Sequence, residues 1–158
     1  MAQYATPSAD VTDGSWVDQA ASAVDMYLDI VPGTPGSQGS GDDTTYITSE
    51  ANPSSSACAF DLSTVSDPVS STGHIMRWRR AKDAASGGQI DLTVELRQGY
   101  TGEGSQGTLI NSYSDTNLSE TFAGQTDTLT GGEADTITDY SDLQIRFVAN
   151  QRDRKSVV

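Results

Sequence analysis

Ten consecutive residues, Gln89 to Gln98 (QIDLTVELRQ), alternate between the two sides of an extended chain. Ile90, Leu92, Val94 and Leu96 fall on one side, and Asp91, Thr93, Glu95 and Arg97 on the other. On a helix the same four apolar residues would scatter around the cylinder, so only a strand with one buried face collects them. The preceding run, residues 74–81 (HIMRWRRA), has the same period: His74, Met76, Trp78 and Arg80 share one face, and Ile75, Arg77 and Arg79 the other. The intervening AKDAASGGQ, with Gly87-Gly88 at its tip, reads as a hairpin connection, which predicts that the two strands pair antiparallel.

Further strands follow from weaker signals of the same kind. Val24, Met26, Leu28 and Ile30 alternate with polar or aromatic neighbours, as do Cys58, Phe60 and Leu62. Thr44–Ser49, residues 107–114 and residues 120–129 are short candidates, and Leu143, Ile145 and Phe147 mark a closing strand. The run GGEADTITDY predicts one helical turn with Ile137 and Tyr140 facing inward. Residues 32–43 (PGTPGSQGSGDD) read as a flexible loop. Ser and Thr make up roughly a quarter of the chain, and 15 residues are Gly, a composition suited to short strands and polar turns. No repeat is visible at a solenoid or propeller period. The expected fold is all-β: a single antiparallel β-sandwich, jelly-roll-like, of about eight strands with one short helical turn. Residues 1–20 read as an N-terminal arm, 21–151 as the sandwich domain and 152–158 as a basic C-terminal tail.

Charge narrows the function classes. The net charge is −13, and residues 1–76 hold ten acids and no Lys or Arg. Such a chain repels phosphate backbones and anionic membrane surfaces, so nucleic acid and membrane are not expected partners. No stretch approaches the roughly 18 apolar residues of a membrane span. The first residues carry no basic region or apolar run, which reads as synthesis in a cytosol without an export signal.

Chemistry-bearing residues are few. A lone Cys58, between Ala57 and Ala59, reads as a buried small hydrophobe, and a Cys-based zinc site is excluded because those need at least two Cys. The single His74 reads as a strand histidine bonded to a neighbour, since no nucleophile–base arrangement surrounds it in sequence. Asp42-Asp43 reads as a pair of solvated acids. Asp135, Asp139 and Asp142 are the best-placed calcium ligands, but they lack the EF-hand spacing, and turn hydrogen bonds are the simpler reading. Asn117-Leu-Ser119 fits the glycosylation triplet and reads as coincidence. No cofactor, metal site or catalytic residue is therefore expected. The aromatic residues, Trp16 and Trp78 among them, are core or interface candidates that could also stack on sugars.

The cations are the exception, because they are concentrated. Arg77, Arg79, Arg80 and Lys82 lie in one strand, and Arg152, Arg154 and Lys155 in the C-terminal tail. Two readings stay open for the strand. Its arginines pair with acids across the sheet, such as Asp91 or Glu95, or they form a docking face for an acidic partner.

Four segments carry a likeness to known proteins: DDTTYI (42–47), FDLSTVSDPVSSTGHIMRWR (60–79), GGQIDLTVELRQGY (87–100) and LTGGEADTITDYSDLQIRFVAN (129–150), with PSADVTDGSW (7–16) as a lead-in. Across about residues 42–151 the chain resembles small β-rich virion structural proteins of tailed bacteriophages. The resemblance implies a jelly-roll-like module without enzymatic activity, made in the host cytoplasm and located on the virion. The expected role is capsid decoration (cement): binding the outer head surface and bridging major capsid subunits through arm, tail and Arg strand. The expected partners are the major capsid protein and further copies of the chain in a symmetric oligomer. A glycan-binding module holding the host surface, or a tail or neck adaptor, are the alternatives.

Overall fold

The computed structural model describes residues 2–30, 43–83 and 88–152. Their elements are β1 (Pro7–Thr12), β2 (Val17–Asp18), α1 (Tyr27–Ile30), β3 (Ile47–Thr48), β4 (Ser56–Leu62), β5 (Ile75–Arg80), β6 (Gln89–Gln98), β7 (Thr108–Asp115), β8 (Ala123–Thr128), α2 (Gly131–Ala134) and β9 (Leu143–Arg152). One five-stranded antiparallel sheet runs β1-β4-β9-β6-β7, and two-stranded ribbons β5-β8 and β2-β3 complete the fold. The fold is all-β, as the alternating segments predict.

The pairing is nested. β4 bonds β9, β5 bonds β8, and β6 bonds β7, as in one long hairpin wound on itself. That winding is the jelly-roll principle. β6 also bonds β9 along its whole length, from Gln89 opposite Arg152 to Gln98 opposite Leu143, which closes the large sheet.

Register sets the two faces of that sheet. Leu92, Val94 and Leu96 stand opposite Ala149, Phe147 and Ile145, and the last two stand opposite Cys58 and Phe60. These side chains join Met76, Trp78 and Leu129 in the core between the layers. Trp78 of β5 meets Tyr113 of β7 edge-on, with ring centroids 5.2 Å apart. Phe60 and Met26 are fully buried, and each such side chain stabilises the fold by about 1.5–3 kcal/mol.

Several expectations are corrected. The first concerns the strands at 74–81 and 89–98. Both exist, but they do not form a hairpin: β5 pairs with β8 in the opposing layer, and β6 pairs with β7 and β9. The two strands lie in different layers, and Lys82 donates its backbone N–H to the Ser119 carbonyl and its Nζ to the Gly88 carbonyl. Gly87 of the expected tip lies outside the described residues.

The segment Val24–Ile30 is a turn leading into α1, not a strand. Asp25 takes a left-handed conformation (φ 58°), and the Asp10 carboxylate accepts the N–H groups of Met26 and Tyr27 at 2.9 Å each. That carboxylate satisfies donors a helix start leaves free. Met26 is fully buried while Val24 and Leu28 face out, so these apolar residues do not share the one buried face that the alternation predicts.

The first 20 residues are not an unpaired arm, because residues 7–12 form β1 at the sheet edge. Two register shifts and Pro7 hide that strand from a period-two reading. The tail boundary also moves. Arg152 is the last residue of β9, paired in register with Gln89, while Arg154 and Lys155 lie outside the described residues.

Candidate functional site

β5 presents its cations as the alternation requires: Met76 and Trp78 are buried, and Ile75, Arg77 and Arg79 face out. Arg79 makes a two-pronged pair with Asp43, Nε to Oδ1 at 2.6 Å and Nη2 to Oδ2 at 2.7 Å. The Asp43 hydrogen bond holds the Arg79 guanidinium above its ordinary value. Arg80 turns inward to Asp115 and donates to the Ala123 carbonyl at 2.9 Å. Arg152 pairs with Asp91. Arg77 is exposed and forms no ion pair among the described residues. Two of the strand's three arginines, Arg79 and Arg80, therefore pair with acids, though not with Asp91 or Glu95, because those acids sit on β6 and β5 is not beside it.

Glu95 instead belongs to a cluster on the outer face of the large sheet. β9 places Arg146 directly opposite Glu95, and the loop after β6 folds Tyr100 and Glu103 over both. Arg146 donates Nη1 to Glu95 at 2.9 Å, and Nε and Nη2 to the two Glu103 oxygens at 2.8 Å each. Arg97 reaches the same Glu95 oxygen at 2.7 Å and the Gln106 carbonyl at 2.9 Å. The Tyr100 hydroxyl donates to Glu103 at 2.7 Å. Beside them, Gln144 accepts the Tyr100 N–H and donates to Asp61 and Asp142. Two arginines and two glutamates balance in charge, and each acid has several donors, which is what allows ions to be buried.

The titration directions follow. Burial pushes the Glu95 carboxyl up, but the hydrogen bonds from Arg97 and Arg146 outweigh it, and the net shift is down. Arg146 chiefly holds Glu103 down. Burial lowers the Arg146 guanidinium, and its bonds to Glu103 and Glu95 overcome that and raise it. Burial, then Glu103, pushes the Tyr100 phenol up. Sequence reasoning missed this cluster. Its members alternate correctly on β6 and β9, but only the strand order makes Glu95 and Arg146 neighbours.

The remaining candidates are placed as follows. The His74 Nε2 lies 2.7 Å from the Tyr140 hydroxyl. Cys58 is fully buried, and burial pushes its thiol well above the ordinary value. That is unfavourable to a thiolate nucleophile. Asp139 accepts from Ser141, Asp142 accepts from Gln144, and Asp135 faces a polar hollow of about 340 Å³ beside Asp67 and Tyr140. The three acids are not brought together, and no metal-ligating cluster occurs among the described residues.

A cleft of about 1940 Å³ runs between the layers, with Phe147, Ile145 and Ile90 only half-buried on its floor. At its wall Tyr46 (37% exposed) stands 5.7 Å from Phe122, ring centroid to ring centroid. Trp16 and Trp78 are both buried, so they belong to the core. No helix among the described residues is long and apolar enough to cross a membrane. Comparison with protein-family models, curated proteins and solved structures finds no match.

Proposed function

We propose that the chain is a structural protein of a tailed-phage virion, acting as a capsid decoration (cement) protein on the outer head surface. The observation supporting this reading is where the segments on which the resemblance rests fall. Within the described residues they supply the end of β4, most of β5, all of β6, α2, and most of β9. The likeness thus lies in the frame of the sandwich. The polar clusters support the same reading, because their hydrogen bonds run to one another and hold the frame. Bridging neighbours on a shell needs a rigid module and many modest contacts, which repetition multiplies into avidity.

On this reading the β5 docking contact falls to Arg77. Arg79, Arg80 and Arg152 already have carboxylate partners, so Arg77 is the β5 arginine available to a capsid acid. The test is uptake. Heads assembled without this protein should bind the purified chain to a saturating stoichiometry. Arg77→Glu should slow that uptake while leaving the melting temperature unchanged, as expected for an exposed rim charge. Heads that take up none of the protein would overturn the proposal.

One observation favours a second reading. Tyr46 and Phe122 form an aromatic pair at the edge of a concave surface, a geometry that suits stacking on a sugar ring. A host-surface glycan would then be the ligand, and Tyr46→Ala would abolish binding to host cells without affecting uptake by heads.

A further inference from the structure

The large sheet ends in two edge strands, β1 and β7. An unpaired edge carries free N–H and C=O groups and readily accepts another strand, so proteins usually blunt it. β1 is blunted. It starts with Pro7, carries two register shifts, and anchors the start of α1 through Asp10. β7 has fewer of these devices: one register shift between Leu109 and Asn111, and one bond from the Asn111 amide to Glu133 of α2. Its sequence, TLINSYSD, lacks Pro, Lys, Arg and Gly, and residues 111–115 run in unbroken register on β6. Among the described residues, no backbone hydrogen bond joins its outer edge to another segment. Ser112 and Ser114 are exposed and small, and Leu109 is 46% exposed.

Charge decides which partner fits. A chain of net charge −13 repels its own copies over most of its surface. β7 is the exception. Its one charged residue is Asp115, and Arg80 already pairs with it. An antiparallel ladder about a two-fold axis at Ser112 would set the two Asp115 residues about 20 Å apart along the strands, beyond the roughly 8 Å reach of charge in physiological salt. A two-fold pairing is also self-limiting, since both edges are consumed.

We propose that β7 is a self-association edge, pairing antiparallel with β7 of a second copy to extend the sheet across a two-fold dimer. This goes beyond the virion reading and holds with or without it. Sedimentation of the full chain over a concentration series should show mass rising from 16.7 kDa to twice that value. Ser112→Lys and Ser112→Glu should both remain monomeric, because each sets like charges against each other across the axis. General relief of the acidic repulsion would instead let the lysine variant associate more strongly. Unchanged circular dichroism would show that the variants are folded. If either fails to fold, hydrogen exchange on the unaltered chain decides, with residues 108–115 gaining protection as concentration rises. A chain monomeric at every concentration, or a dimer surviving both substitutions, would overturn the proposal. Protection of β7 appearing only on virions would overturn it too, in favour of a strand from another protein.

Discussion

Arg146 reaches two carboxylates at once, Glu95 below it on the sheet and Glu103 above it on the loop. Replacing it with Met keeps the aliphatic bulk but leaves Glu95 with Arg97 alone and Glu103 with no cation. Removing one partner from a buried pair is far more damaging than removing both. Arg146→Met should therefore lower stability by about 3 kcal/mol, read as a shift in the urea midpoint. The same residues set an acid response. Both glutamates sit below the ordinary 4.5 when folded. Their contribution is complete above that value and is lost as pH falls through the lower folded values. Denaturation midpoints should therefore decline from about pH 5 downward, and in Arg146→Met that decline should be shallower. An unchanged slope would show that the cluster does not govern acid stability.

At the scale of elements, the loop between β6 and β7 is what covers the charged face, and Gly107 lets it return. Its φ is 57°, and a side-chain carbon there would lie 2.2 Å from the Gln98 carbonyl oxygen. Gly107→Ala should cost at least about 1–3 kcal/mol from backbone strain alone. It should also expose the loop to proteases; a variant as stable as the parent would contradict this account. Elements with one buried face were legible from sequence. β4, β5, β6, β7 and β9 lie close to where alternation predicts them, and the turn at 131–134 is present with its Thr130–Glu133 capping box. Elements defined by partners were not. β1 has little apolar pattern because it is a bulged edge, and the segment entering α1 looked like a strand because Val24, Met26, Leu28 and Ile30 fall at every second position, although only Met26 of Val24, Met26 and Leu28 is buried. The expected β5-β6 hairpin failed for a related reason. Alternation gives each strand its faces but says nothing of which strand lies beside it.

For the whole molecule, the nested pairs β4·β9, β5·β8 and β6·β7 make a sandwich whose opposing layer is far narrower than its main sheet. The consequence is the cleft with half-buried Phe147 and Ile145. The cation patch was visible in sequence, but its division into paired Arg79 and Arg80 and unpaired Arg77 was not, because Asp43 and Asp115 lie 36 and 35 residues away in sequence. The proposed function is that of a module that works by contact, in many copies, on a repetitive surface. The most direct test is the copy number of this protein in purified virions, measured by quantitative mass spectrometry against the major capsid protein. A decoration protein should be present in hundreds of copies at a simple fixed ratio to capsid subunits. A handful of copies, or none, would contradict the account.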